Sequence, residues 1–491
     1  MRRNSPFPLL LMLLGIALPL GTQPAQAVSS LRSVSSDPYT NPASYHMTEV
    51  EPHDFAVGQT VISAFQVGRF SEAGASGIGW ARSIDGGATW SNGFLPSLTA
   101  DQDGGPYASA SDSAVGYDAK HSTWLISSLG NYGSPSGNFL GSDVVASRST
   151  DGGATWQSPV VVGFGGTPTI LDKPWVVCDN SASSPYYGNC YVTWDDSDAG
   201  EVVYMGASSD GGVTWSAPVQ PAEGARGLGG VPLVMPSGSV IVPYLAHGSK
   251  IGVFASADGG ATWGKARIAS GVRFHKVAGN IRADALPAAG MDAKGVAYVA
   301  WSDCRFSYRC SRDDVVFTTS SDGGQVWSSV RRLPVDLRRG DHWGIGLGVD
   351  PATSGKSAHL AVSYYVNRTT ACKAPCQIDV RYTSSVDGGA HWSAAMQLAG
   401  PMQPSWAPPT ADGRMFGDYF GLTIAGDGAA VPAVSVALQP IGGFDQSIWS
   451  GRLAVTGGIK TARASEAPEL SGAPLARDAY SAADRWPAAR R

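Results

Sequence analysis

The sequence predicts an all-β protein, a β-propeller of six or seven four-stranded blades, and three observations carry that expectation. An eight-residue phrase, Ser83-Ile84-Asp85-Gly86-Gly87-Ala88-Thr89-Trp90, recurs at 149–156, 208–215, 256–263, 320–327 and 385–392, its Asp positions 48 to 66 residues apart. Each copy follows an apolar alternating run such as Val202-Val203-Tyr204-Met205 or Val315-Val316-Phe317-Thr318, so each marks the end of one strand and the start of the next. Composition agrees: 62 Gly, 32 Pro and 15 Trp with only 15% charged residues describe a turn-rich chain whose aromatics suit strands.

The phrase is a hairpin turn by its chemistry. Asp and Ser oxygens accept hydrogen bonds from the backbone N–H groups of a tight turn, paired glycines supply positive φ, and the Trp anchors the returning strand against another sheet. Self-similarity at this interval belongs to repeat architectures, because one unit cannot bury its own face, and the spacing suits four short strands with their loops. Val326 and His391 replace the Thr in two copies. The phrase is the Asp box, and on its six copies the chain resembles the sialidase-like (Asp-box, or BNR-repeat) β-propeller superfamily.

Taken in order, Arg2 and Arg3 precede an apolar stretch, Leu9 to Leu20, and Ala25-Gln26-Ala27 fits a signal-peptidase site, so residues 1–27 read as a leader and the mature chain starts near Val28. A short membrane anchor is the alternative, disfavoured by the length of the run and its proline. No later run approaches the length of a membrane span, which places the protein as secreted or periplasmic. Residues 28–48 form an extension that wraps or closes the ring, 49–458 the propeller, and 459–491 a disordered Ala/Arg/Pro-rich tail. The formal charge of −5 argues against a nucleic-acid partner. A carbohydrate ligand or substrate and a monomeric state are expected.

Cys178/Cys190, Cys304/Cys310 and Cys372/Cys376 lie close in sequence, each pair between strands of one repeat unit. In an exported chain this reads as three loop-stapling disulfides rather than a metal site, since none has C-x2-C spacing.

Between boxes, each unit opens with a strand near an acidic residue: Asp54-Phe55, Asp112-Ser113, Asp172-Lys173-Pro174-Trp175, Arg282-Ala283-Asp284, Asp341-His342-Trp343 and Asp418-Tyr419. The first strand of a propeller blade lines the central channel, so these openings converge on one polar funnel unless their Asp residues merely cap turns. The stretch 414–456 forms a last unit without a box.

The resemblance implies a Tyr nucleophile assisted by a carboxylate, an Asp acid/base and three arginines clamping the substrate carboxylate. Asp418-Tyr419-Phe420-Gly421-Leu422-Thr423 resembles the stretch that carries the nucleophile, which assigns Tyr419; one register then puts Asp284 in the helper-carboxylate position, with Asp341 as the second candidate, and Arg312 near the second clamp arginine. A competing register, on Arg282-Ala283-Asp284-Ala285-Leu286-Pro287 followed by Asp303-Cys304-Arg305, makes Arg282 and Arg305 substrate contacts and Asp314 the acid/base. The chain departs from the pattern in two ways. Ser109-Ala110-Ser111-Asp112 stands where an Arg-Ile-Pro triplet belongs, and Arg381 lies too near its box for a third clamp arginine.

Trp175, Trp343 and Trp406 are candidate exposed platforms for sugar rings. Asp101-Gln102-Asp103 and Asp195-Asp196-Ser197-Asp198 are candidate ligands for a structural calcium ion, and no other cofactor is expected. Two functions follow: an exported glycoside hydrolase acting on an extracellular or cell-wall glycan, with exo-α-sialidase as the activity the resemblance implies, or a non-catalytic propeller that binds glycan or protein.

Overall fold

The computed structural model describes residues 1, 31–71, 73–134, 138–337, 339–369, 372 and 376–458; the leader beyond Met1 and the tail lie outside these residues. Apart from three single-turn 3-10 segments, Tyr308–Cys310, Gly355–Ser357 and Pro404–Trp406, the regular structure among the described residues is all strand.

Consecutive strands pair antiparallel, and the pattern repeats along the chain. The ribbon of Val50–Val57, Thr60–Arg69, Ala75–Ser83 and Ser91–Phe94 is followed by Ser109–Asp118, Thr123–Ser134, Asn138–Ser149 and Val160–Gly163. Later sheets are built in the same way, for example on His342–Val349, Leu360–Asn367, Ile378–Ser385 and Met396–Met402. Arg32–Ser33 pairs with Gln446–Ser450, so the extension that precedes the first ribbon supplies the outer strand of the last sheet.

The number of sheets differs from the expected six or seven four-stranded blades. Among the described residues, five sheets have four or more strands, alongside a three-stranded and a two-stranded sheet. One physical reason is a single residue pair, Ala75 with Ala110, which hydrogen-bonds the first two ribbons into one eight-stranded sheet. Another is that Leu171–Cys178, Cys190–Asp196 and Val202–Ser208 lack a fourth partner strand.

The boxes are the hairpin turns that their composition requires. In the second copy, Ser149 Oγ donates to Asp151 Oδ1 at 2.8 Å and accepts from Gly153 N at 2.9 Å, while Thr155 Oγ1 reaches Asp151 Oδ2 at 2.6 Å. Where His391 replaces Thr, its Nδ1 lies 2.6 Å from Asp387 Oδ2 and fills the same place. Gly153 has φ of 83°, and a Cβ there would collide with Ile62 Cδ1, so the second glycine serves both the turn and the packing.

The box Trp residues pack back onto the preceding sheet. Trp156 joins Ile62, Ile78, Trp124 and Ile126 in one core, and Trp392 meets Phe317 at 5.8 Å between ring centroids. Burying side chains of this size stabilises each sheet contact by roughly 2–3 kcal/mol.

All three expected disulfides are formed: Cys178–Cys190, Cys304–Cys310 and Cys372–Cys376. Each bridge closes a short loop, at sequence separations of 12, 6 and 4, and each also takes part in packing. Cys178 and Cys190 are cross-strand partners in one antiparallel pair, and both are buried, as is Cys304. Cys376 is likewise buried rather than carried on an open loop, because its bridge lies against the segment around Gly279. A Cβ at Gly279 would stand 3.2 Å from Cys376 Sγ and 3.3 Å from Cys372 Sγ, so the absent side chain leaves room for both sulfurs. The pair therefore packs against a segment about a hundred residues away in sequence as well as closing its own short loop.

Candidate functional site

The innermost strands carry a repeated irregularity. Their register shifts between Val50 and His53, Ser111 and Ala114, Asp172 and Trp175, and Trp343 and Gly346. Each shift holds a residue in the left-handed region: Glu51 (φ 54°), Asp112 (φ 51°), Lys173 (φ 52°) and Gly344 (φ 57°). A bulge re-aims a side chain, and for a non-glycine residue that conformation costs roughly 1 kcal/mol or more. Three successive units accept that strain, and all three side chains meet at one point.

The meeting point is Lys173. Its Nζ lies 2.8 Å from Asp112 Oδ1, 2.9 Å from Asp418 Oδ2 and 3.5 Å from Glu51 Oε1. Arg282 grips Asp418 through two bonds, Nε to Oδ1 at 3.0 Å and Nη2 to Oδ2 at 2.6 Å. Glu51 accepts from the Asp418 N–H at 3.1 Å and from Gln66 Nε2, and Gln66 in turn accepts from Arg69 Nη1 at 2.8 Å. Lys173, Arg282 and Arg69 are therefore set against Glu51, Asp112 and Asp418, with Asp172 beside Lys173, and the cluster has no spare positive charge. Burial disfavours the Lys173 cation, but the charges of Asp112, Asp418 and Glu51 outweigh it and hold the ammonium well above its usual range.

Tyr419 packs over this cluster. Its ring lies 5.2 Å from that of Trp175 and 5.3 Å from Lys173 Nζ, and its hydroxyl donates to the Ser113 carbonyl at 3.3 Å. Burial first, then the charges of Glu51, Asp112 and Asp418, push the phenol well above its ordinary pKa, so it stays neutral.

Beside the cluster runs a central channel of about 490 Å³, walled largely by apolar side chains such as Val231, Leu233, Leu286, Met291, Leu347 and Leu422. No box residue lines it. Its polar lining comprises His53, Asp54, Asp179, Asn180, Ser181, Asp292, Asp418 and Thr423, with Trp175 and Tyr419 also in the wall. Asp54 is buried in the wall with neither carboxyl oxygen in a hydrogen bond, although the Thr423 N–H lies near, and burial raises its pKa well above the carboxylate range. His53 accepts from the Val115 N–H through Nδ1 at 2.8 Å, and burial lowers its pKa to about 3, so its ring is neutral.

Of the sequence-predicted residues, Tyr419 and Arg282 reach the centre, and Arg305, Arg312 and Asp314 do not. Arg305 is bound to Asp303 by Nε at 2.9 Å and Nη2 at 2.7 Å and lies over Trp301. Asp314 faces Arg332 at 3.5 Å and Arg312 at 3.7 Å, directly across from Asp303 on the paired strand. Asp284 is half-buried on the segment between Arg282 and the channel wall, and it does not line the channel. Asp341 is buried against His275, 2.7 Å away.

Trp343 is fully buried against Tyr365 and Phe416 rather than exposed as a platform, because the bulge at Gly344 turns its ring into the core. Trp175 and Trp406 keep part of their surface open. Among the candidate calcium ligands, Asp101 accepts from Asn41 Nδ2, Asp196 from the Ala199 N–H and Asp198 from the Ile170 N–H.

Glu51, Asp112 and Lys173 were not singled out as site residues from sequence. The signal available was the acidic opening of each unit, which located Asp112, Asp172 and Asp418 but not the lysine that joins them.

Residues 186–342 match the family described as a BNR repeat-like domain. No curated protein matches the chain. Among solved structures it is similar to the Hadza microbial sialidase Hz136, at 18% identity and a TM-score of 0.43, over 84% of this chain and 66% of that one. It is also similar to the intramolecular trans-sialidase from Ruminococcus gnavus, at 15% identity and a TM-score of 0.41, over 85% of this chain and 96% of that one. The α-L-arabinofuranosidase Arb93A from Fusarium graminearum matches at 14% identity and a TM-score of 0.44, over 87% of this chain and 98% of that one. This chain thus spans just under two thirds of the length of the Hadza sialidase.

Proposed function

We propose that this chain, a sialidase-like BNR-repeat β-propeller by its six boxes and its family match, binds an uncharged saccharide in its central channel without hydrolysing it. One observation carries the reading: the central cations are already matched by carboxylates. Arg282 commits Nε and Nη2 to Asp418, and Lys173 is enclosed by Asp112, Asp418 and Glu51. An anionic sugar would bring a further negative charge beside buried carboxylates that already balance these cations, and it would gain no unmatched cation in return. A neutral sugar needs none. Trp175 offers a ring to stack on, and Asp54 and His53 offer polar atoms to its hydroxyls.

The same proposal includes export. It rests on the leader-like sequence and on the three disulfides, which suit an oxidising compartment. No helix among the described residues is long and apolar enough to cross a membrane.

A second reading, a sialidase-type hydrolase, is favoured by one feature. Tyr419 shares a small cavity with Asp112 and Lys173, so a carboxylate lies on the same side as the phenol. The two readings separate on a panel of fluorogenic glycosides and a glycan array. The binding reading expects retention of neutral oligosaccharides, lost in Trp175→Ala, with no turnover. Turnover of an aryl sialoside, abolished in Tyr419→Phe, would replace it with the hydrolase.

A further inference from the structure

Away from the channel, three loops converge at one point. His275 comes from the segment after Arg267–Gly271, Asp313 from the residue before Asp314–Ser320, and Asp341 from the residue before His342–Val349. A ring nitrogen of His275 and one carboxylate oxygen each from Asp313 and Asp341 lie within 4.8 Å of one another. None of the three lines the channel.

Backbone groups already hold the acids in place. Asp313 Oδ1 accepts from the His275 N–H at 2.9 Å; Asp341 Oδ1 accepts from the Asp313 N–H at 3.1 Å, and its Oδ2 faces the Ala278 N–H at 3.3 Å. Asp313 itself is completely buried, and its Oδ2 has no hydrogen-bond partner. A carboxylate oxygen buried without a partner is costly, and a cation is one of the few groups that can satisfy it. His275 is about one third exposed, so the cluster has an opening to solvent.

We propose that His275, Asp313 and Asp341 bind one divalent transition-metal ion, Zn2+ by preference, with the exposed side left to water. The donor set decides the ion. Ca2+ takes six to eight oxygens and Mg2+ favours an octahedral oxygen shell, whereas one imidazole nitrogen with two carboxylates is a four-coordinate zinc set once water completes it. Tetrahedral ligands about 2 Å from zinc stand roughly 3.3 Å apart, so His275 Nδ1 and Asp341 Oδ1, now 2.7 Å apart, would part slightly around the ion while the Asp313 carboxylate completes the set. The His275 Nδ1 now 2.7 Å from Asp341 Oδ1 would turn its lone pair to the ion and give up its proton. Bound there, the ion would pin together three segments that flank strands of three different sheets.

Untagged, chelator-treated protein titrated with Zn2+ by calorimetry tests this. One equivalent should bind and raise Tm, with Ca2+ binding at least tenfold more weakly. His275→Gln changes a partly exposed side chain and leaves the fold intact, and Asp313→Asn keeps the buried shape; each should lower zinc affinity at least tenfold, with near-UV circular dichroism reporting that the variants are folded. Absence of stoichiometric zinc binding, or zinc bound equally well by folded Asp313→Asn, would overturn the site.

Discussion

Arg282 and Asp418, 136 residues apart in sequence, form a two-bond ion pair at the centre of the molecule, and Asp418 shares one of its oxygens with Lys173. The pair joins the fourth of the acidic opening segments to the last one, and Lys173 extends the link to the second and third. A single network thus closes the ring from within, as the Arg32–Ser33 strand closes it from outside.

Removing the hub should therefore destabilise the whole ring. Lys173→Met leaves Glu51, Asp112 and Asp418 facing one another in a buried site, and the loss should be about 3–5 kcal/mol, the scale for breaking a buried pair from one side. Urea unfolding at pH 7 measures it. Adding Asp112→Asn to Lys173→Met should restore part of the loss, because one of the stranded charges is removed. Additive losses from the two changes would show that the residues act independently.

How much of this was legible in sequence follows from the range of each interaction. The box turn is local: the hydrogen bonds of its Ser and Asp side chains fall within four residues, so its composition alone specifies the turn, and six copies specify the repeat. The acidic strand openings are also local and marked the funnel. Lys173 was illegible as a hub because its partners stand 61 and 245 residues away, and Glu51 because nothing beside it marks a bulge. The cysteine pairs were legible from their spacing, but the burial of Cys376 against Gly279 was not, since that contact is distant in sequence. Sequence marks Trp343 only as an aromatic able to stack on a sugar, and its burial against Tyr365 and Phe416 depends on contacts that lie far along the chain. The sheet count was hidden in the contact of two alanines, Ala75 and Ala110, which no pattern announces.

Each box should contribute separately. Asp151→Ala removes the acceptor for Ser149, Ala154 and Thr155 in a solvent-facing turn, and the cost should be about 1 kcal/mol, the scale of a lost helix cap. The same change in two boxes of distant sheets should cost about twice as much, since their turns share no partners. Thermal unfolding of the single and double variants checks both values.

A pH dependence follows from Glu49. Burial raises its pKa to about 8, against the hydrogen bond from Ser35, and Oε1 has no hydrogen-bond partner. Between its ordinary value near 4.5 and about 8 the folded chain holds a proton that the unfolded chain has released. This contribution to stability is complete below about 4.5 and is lost as pH rises through 8. Glu49→Gln keeps the shape and cannot ionise, so it should stabilise the protein at pH 8 by on the order of 1–3 kcal/mol and flatten the decline. Unfolding curves collected from pH 5 to pH 9 measure the slope, and an unchanged slope in the variant would assign the titration to another group.

The last prediction concerns Tyr419, where binding and catalysis make opposite demands. Its hydroxyl donates to a backbone carbonyl, an acceptor that cannot take its proton, and burial together with three carboxylates keeps the phenol neutral. A nucleophile needs the reverse, a base within hydrogen-bond reach that makes the phenolate accessible. In a binding protein the ring matters and the oxygen does not: it stacks edge-on to Trp175 and covers Lys173. Tyr419→Phe should then lose only the hydrogen bond to Ser113, about 0.5–1.5 kcal/mol of stability, and should leave saccharide affinity within a factor of about three. Tyr419→Ala should weaken affinity at least tenfold, because Trp175 loses the ring that orients it. Measured by calorimetry on one neutral oligosaccharide, a large loss of affinity in Tyr419→Phe would show that the hydroxyl contacts the ligand, and it would return Tyr419 to the list of groups able to act on a sugar.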